Sequence, residues 1–285
     1  MSGALEKLLT LKQPVRCFSS QMPEGHTVHR TAKRFQKEFA GQQLFVTSPQ
    51  GRFVDAALVT GQKLESAEAF GKHLFLGFES GFVRIHLGIY GKWRFSQFED
   101  APKDPVGQVR ARFLSSQHVA DVVGPTACEV IDVAGFEMQK SKLGPDPLRI
   151  DPADQELERF IARCRKSKTS IGQLLMDQSV ISGIGNVYRA ELLFRAGVNP
   201  YQLGMNTQEE TLVAIWFDAV RLMKIGVSKG IMLTRDDYLK GMPATKDRYF
   251  VYKREGMPCR NCGHEVSLAL LNSRKLYWCN SCQIG

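Results

Sequence analysis

Val28, Ala32, Phe35 and Phe39 recur at helical spacing while Lys33, Arg34 and Lys37 fall on the other side, which predicts one amphipathic helix from Glu24 to a break at Gly41. From Gln43 to about Val133 the pattern changes. The segments LFVTS, KLESAEAF, HLFLGF, FVRIHL, KWRFS, VRARFL, HVADVV and EVIDV are short, β-rich and separated by turn residues. Val83, Ile85 and Leu87 alternate with Arg84 and His86, the period of a half-buried strand. Many short strands behind one helix predict a two-sheet sandwich or barrel.

The run Lys142-Leu143-Gly144-Pro145-Asp146-Pro147 is dense in chain breakers and marks a boundary. Beyond it the spacing is helical again, over 154–164, 168–177, 186–196 and 208–225, the last with Leu212, Ile215, Trp216, Ala219, Leu222 and Met223 on one face. Residues 226–248 show little periodicity and read as a loop. At the end, 265–271 and 274–278 can pair as a hairpin closed by Asn272 and Ser273. The chain therefore divides into an extension (1–21), an N-terminal helix and β-sandwich domain (22–140), a helical domain (148–248) and a terminal hairpin unit (251–285), an α+β protein.

A chain of 285 residues, 43% hydrophobic and 24% charged, can bury two cores without disulfide staples. No apolar run is long enough to span a membrane. Lys and Arg outnumber Asp and Glu by 38 to 29, and the resulting charge of +9 suits a polyanionic partner. Residues 1–21 lack the long apolar core and small-residue cleavage site of a secretory signal; a misassigned start or a weak organelle-targeting peptide are the alternatives.

Seven cysteines are unevenly placed: Cys17, Cys128 and Cys164 stand alone, while Cys259, Cys262, Cys279 and Cys282 form two CxxC knuckles. An odd total with one tight cluster points to a reducing compartment and a metal site. Two thiolates on each of two turns complete a tetrahedron, which fits one zinc ion, with an iron centre as the rival. Four sulfur ligands leave no open position for water, so the metal is structural and stiffens the hairpin that carries Arg274 and Lys275.

Two further stretches carry chemistry. In 168–194 a turn with Gly183 and Gly185 precedes a helix opening at Asn186, a geometry that can bring backbone amides to a phosphate, although such a turn also serves as a plain helix connection. In Met22-Pro23-Glu24-Gly25-His26-Thr27-Val28-His29-Arg30, Pro23 would carry a secondary amine if the chain began there, and α-amino groups titrate far below lysine, near about 8. Inside a chain the same nitrogen is an amide with no available lone pair, and Pro23 then only opens a helix.

Taken in order, PEGHTVHR, the pair Gly71-Lys72, SGIGNVYRAE and the terminal CxxC hairpin with RKLYWC resemble the formamidopyrimidine-DNA glycosylase and endonuclease VIII family, from about residue 22 to the end. The resemblance implies an N-terminal helix with a two-sheet sandwich, a helix-two-turn-helix domain and a zinc hairpin, with double-stranded DNA in the cleft between them. It implies base excision repair by a monomer: removal of an oxidised base, then nicking of the strand at the abasic site, in the cytoplasm beside the nucleoid if the host is bacterial.

On the same resemblance Pro23 matches the nucleophile, Glu24 the acid, and Lys72 the lysine at the phosphate and catalytic centre. Asn186 and Arg274 match the phosphate clamp, Arg274 also serving δ-elimination. Leu87-Gly88-Ile89-Tyr90-Gly91 resembles the loop that wedges into the base stack, with Gly88, Ile89 and Tyr90 as DNA contacts; Gly88 stands where the family has a polar residue. The opening PEG and the compact wedge favour oxidised pyrimidines. Two alternatives stay open: a glycosylase directed at 8-oxoguanine or formamidopyrimidine, and a non-catalytic damaged-DNA-binding protein if residues 1–21 are retained.

Overall fold

A computed structural model describes residues 23–151, 153–238 and 241–284. Cys17 and the 1–21 extension lie outside the described residues. Helix α1 (Gly25–Glu38) opens directly after Glu24 and presents Val28, Ala32 and Phe35 inward, as its spacing requires. The Phe35 ring lies 4.9 Å from Phe39, 5.1 Å from Trp93 and 5.8 Å from Phe113. Full burial of that one ring contributes about 1.5–3 kcal/mol.

All eight expected β segments form strands: β1 (Phe45–Thr47), β2 (Ser66–Phe70), β3 (His73–Phe78), β4 (Gly81–His86), β5 (Lys92–Gln97), β6 (Val109–Leu114), β7 (His118–Val123) and β8 (Ala127–Ile131). They make two four-stranded antiparallel sheets, ordered β1-β6-β7-β5 and β2-β3-β4-β8. Leu74, Leu76, Val83, Ile85, Ala111, Phe113, Ala120 and Val122 belong to one core with the inner face of α1.

Two helices in this half escape periodicity. α2 (Ala56–Val59) is a single turn. α3 (Val133–Ser141) is capped by Asp132, whose carboxylate accepts the Gly135 amide at 2.7 Å. Only Phe136 of α3 is buried, stacked 4.2 Å from Phe82, so no apolar stripe announces the helix.

The second half begins with α4 (Gln155–Arg165), one residue from its expected limits. The helix expected over 168–177 shrinks to α5 (Ile171–Leu174). Side chains stop it: Asp177 accepts the amide and hydroxyl of Ser179, while Gln178 bonds the Met176 and Ile184 carbonyls. α6 (Asn186–Arg195) follows the glycine turn. α7 (Glu209–Lys229) keeps all six expected apolar residues buried but runs a turn further than read, to a left-handed Gly230 whose amide bonds the Gly226 carbonyl. The rest of the stretch read as a loop holds only short 3-10 turns among the described residues.

The hairpin of β9 (Ser267–Leu271) and β10 (Arg274–Trp278) pairs Arg274 with Leu271, with Asn272 and Ser273 both at positive φ in the turn. It shares the helical core through Val266, Tyr277 and Cys279. Buried Glu191 on α6 anchors its approach by accepting the amides of Phe250, Val251 and Tyr252 at 2.8–2.9 Å.

The two halves meet through α1 and α7. Arg30 donates to the Val227 and Ser228 carbonyls at the end of α7, where a cation also faces the negative pole of the helix. A Cβ on Gly226 would meet the Tyr188 hydroxyl at 2.7 Å and the His26 ring at 2.8 Å, so glycine is what permits this contact.

Candidate active site

Glu24 is fully buried between the halves. Its carboxylate accepts the backbone amides of Gly185 (2.8 Å), Val187 (2.8 Å) and Tyr188 (3.4 Å) at the start of α6. A Cβ on Gly185 would lie 2.5 Å from the carboxyl carbon of Glu24, so this glycine admits the acid to the helix terminus. Here the structure corrects the sequence reading. The amides expected to face a phosphate already bond an internal carboxyl group, and that of Gly183 is taken by the Gln178 side chain at 3.0 Å.

Burial raises the Glu24 pKa, while Lys72 and the three amides pull it back in part. Lys72 is displaced the opposite way: burial lowers its pKa and nearby Arg274 adds to this, with Glu24 opposing both. Removal from water thus favours the uncharged form of each. His26, beside them, is pushed down to about 3 by burial and by Arg30 and His29, and is a neutral core residue. Pro23 is half-buried directly before Glu24. Glu24 and Lys72 are thus close enough to perturb one another, as are Lys72 and Arg274.

The Asn186 side chain also makes contacts within the protein. Its amide nitrogen donates to the Lys275 carbonyl at 2.8 Å and its oxygen accepts from Arg189. Arg189, buried and held down to about 10 by desolvation, also donates to the Lys275 carbonyl at 2.9 Å. Together they tie α6 to the hairpin tip that carries exposed Arg274. The sequence reading missed Arg189, although its position three residues after Asn186 on one helix face was a usable signal.

The loop 87–91 crosses from β4 in one sheet to β5 in the other. Its apex is exposed, with Tyr90 87% and Ile89 43% accessible, which excludes a buried hairpin corner. Gly88 has φ +64, and a Cβ there would strike Thr126 at 2.3 Å, so the position cannot extend a side chain. The Gly88 amide donates to His86 Nδ1 at 3.1 Å. Burial, Lys72 and Arg84 all lower the His86 pKa, which favours the neutral ring, and the same Nδ1 lies 2.9 Å from the Thr126 hydroxyl. His86 therefore links the exposed loop to the neighbourhood of Lys72, a role its alternating strand position did not disclose.

Cys259, Cys262, Cys279 and Cys282 gather with all four sulfurs within 4.8 Å of one another. Sγ separations of 3.8 Å for Cys259 to Cys282 and 3.5 Å for Cys262 to Cys279 compare with about 3.8 Å along the edge of a tetrahedron of 2.3 Å zinc–sulfur bonds. The set fits zinc. The backbone amide of His264 holds the Cys262 thiol down to about 6, favouring the thiolate that a metal takes. Stripping the metal with a chelator, or Cys259→Ala, should melt the hairpin and weaken DNA binding by at least about tenfold, because the hairpin's order comes with the ligand set. Titration of a labelled duplex checks this, and unchanged affinity in metal-free protein would refute it.

Comparison with known proteins now assigns a class. The formamidopyrimidine-DNA glycosylase N-terminal domain matches residues 22–124, and the formamidopyrimidine-DNA glycosylase H2TH domain matches 143–236. Endonuclease 8 1 of Mycobacterium tuberculosis is 44% identical over 271 residues, spanning 92% of this chain and 100% of the relative. Probable endonuclease 8 2 of Streptomyces coelicolor is 29% identical over 274 residues, 93% of this chain and 95% of its own. The MutM (Fpg) protein of Thermus thermophilus superposes with a TM-score of 0.73 at 26% identity, covering 92% of this chain and 98% of that one. The chain belongs to the formamidopyrimidine-DNA glycosylase family, a family of DNA glycosylases with abasic-site lyase activity.

Proposed function

We propose that this protein removes oxidised bases, pyrimidines foremost, from duplex DNA and then cuts the strand by β,δ-elimination through an iminium on Pro23. The observation that carries the reading is the buried Glu24 carboxyl, held by three amides beside Lys72 and joined directly to Pro23. An acid whose pKa is raised by burial holds its proton to higher pH than an exposed carboxyl and can deliver it. With a free amine at Pro23, its lone pair attacks sugar C1′ as the bond to the base breaks. Glu24 protonates the ring oxygen or the departing base. The resulting iminium acidifies the C2′ proton; its removal expels the 3′ phosphate, a second elimination releases the 5′ phosphate, and hydrolysis returns the amine.

Supporting groups surround that chemistry. Lys72 and Arg274 supply positive charge where backbone phosphates must pass, and the net +9 favours the approach of a polyanion. Exposed Ile89 and Tyr90 suit insertion into the stack vacated by a flipped nucleotide. A structural zinc ion would hold the hairpin through its four cysteines and takes no part in bond breaking. The similar Lactococcus lactis Fpg has been captured with abasic-site DNA, TM-score 0.74 at 21% identity, a likeness of fold. Preference for pyrimidines rests on PEG and the compact wedge loop. With protein beginning at Pro23, a duplex carrying 5-hydroxyuracil should be cleaved with kcat/KM at least about tenfold above one carrying 8-oxoguanine. The reverse order would move the enzyme to the purine-directed branch.

A further inference from the structure

Lys72 makes no hydrogen bond or ion pair of its own among the described residues, so its place must be set by its backbone. The preceding residue, Gly71, has φ +57 and is pressed against the glycine turn before α6: a Cβ on it would meet Ser182 Cβ at 2.8 Å and the Gly183 nitrogen at 3.1 Å. Its amide donates to Asp146 Oδ2 at 2.7 Å. The same oxygen accepts from His29 Nε2 on α1 at 2.8 Å, and Oδ1 accepts the Leu148 amide at 2.9 Å. Asp146 itself is 5% exposed. The breaker-rich run that the sequence marks only as a boundary thus places a buried carboxylate on the strand turn, on the first helix and on the linker at once.

The linker is fixed in turn to the segment that carries the Glu24-binding amides. The Ser182 amide bonds the Pro145 carbonyl at 2.8 Å, the Gly144 amide bonds the Gln178 carbonyl at 2.8 Å, and the Gly25 amide bonds the Gly183 carbonyl at 2.8 Å. We infer that Asp146, with His29 as its partner, is a positioning residue that sets the Lys72 turn against Glu24 across the boundary between the halves. The inference rests on the proposed glycosylase and lyase reading. A buried carboxylate with every donor in place is rigid, and loss of one acceptor leaves a buried donor unmatched. Asp146 touches no reacting atom in this scheme; it acts through Gly71 and α1.

The test uses protein beginning at Pro23 with an oxidised-base duplex. Asp146→Asn exchanges one acceptor oxygen for a donor, which is set either against both His29 and Gly71, since these share Oδ2, or against the Leu148 amide at Oδ1; either way the joint hold on the strand turn, the first helix and the linker is broken. Its single-turnover base-release rate should fall about 10- to 100-fold, the worth of a hydrogen bond to a charged group read as a rate. Affinity for a duplex carrying a tetrahydrofuran abasic analogue should change by less than about threefold, because no phosphate contact is removed. His29→Ala should act in the same direction, and His29→Gln, which restores a donor at the Nε2 position, should recover the rate to within about twofold.

An unaltered rate in folded Asp146→Asn, a rate loss matched by an equal loss of affinity, or His29→Gln no better than His29→Ala would each overturn the inference. Should Asp146→Asn fail to fold, the two His29 variants decide. Should wild-type protein release no base and trap no abasic site, it is the functional reading that fails. The positioning role is then decided by the acylation rate of Lys72, followed by peptide mass spectrometry. It should differ between wild type and His29→Ala and be restored by His29→Gln, and equal rates in all three would reject the role.

Discussion

Protein that begins at Pro23 should be trapped by borohydride on an abasic-site duplex to near stoichiometry, while protein carrying any residue ahead of Pro23 should be trapped at background level. The contrast is near all-or-none because acylation removes the nucleophile rather than weakening it: an amide nitrogen has its lone pair committed to the carbonyl. A freed secondary amine near a Lys72 whose own pKa is depressed meets an environment that favours neutral nitrogen, and only the neutral form attacks. Peptide mapping of the adduct checks the site. Equal trapping with and without the extension would discard Pro23, and the adduct would then be sought on Lys72, whose pKa burial also lowers. The proline-iminium form of the functional reading depends on this outcome, because Pro23 becomes a secondary amine only once Met22 and everything before it are gone.

Much of the architecture was legible because each β segment and the two long helices have apolar faces of the right period, as α1 and α7 illustrate. What escaped was set by single contacts. α3 is held by the Asp132 cap and one buried ring, and α5 is stopped by the side chains of Asp177 and Gln178. The site shows the same division. Motif order located Glu24, Lys72, Asn186, Arg274 and the four cysteines, and the structure brings Glu24 together with Lys72 and Asn186 together with the hairpin. Pattern could not show that the α6 terminus receives Glu24 instead of a phosphate. That depends on a contact between residues 161 positions apart, admitted by the missing Cβ of Gly185. For the same reason Asp146 read as a breaker and Arg189 as a helix filler: their partners are remote in sequence.

Glu24→Gln should slow release of an oxidised base by about 10²- to 10⁴-fold while leaving borohydride trapping on a preformed abasic site within about tenfold of wild type. The two readouts separate because a departing base needs a proton and an abasic sugar has already lost its base. Glutamine keeps the length of the side chain but offers only one oxygen to amides that now share two. Some misalignment at the start of α6 is therefore expected, and the trapping assay measures it. The pH dependence gives an independent sign. Burial raises the Glu24 pKa, so its catalytic proton is present at pH below the raised value and is lost as pH rises through it. Wild-type base release should accordingly show a descending limb on the alkaline side that single-turnover rates of Glu24→Gln lack. The same raised pKa means that the folded protein binds this proton more tightly than the unfolded chain, so the contribution of Glu24 to stability is full below the unfolded carboxyl pKa and declines as pH climbs through the folded one. A limb that survives unchanged in Glu24→Gln would transfer the acid role to another group. Lys72 would be the first to test, since its lowered pKa places its own proton loss closer to neutrality.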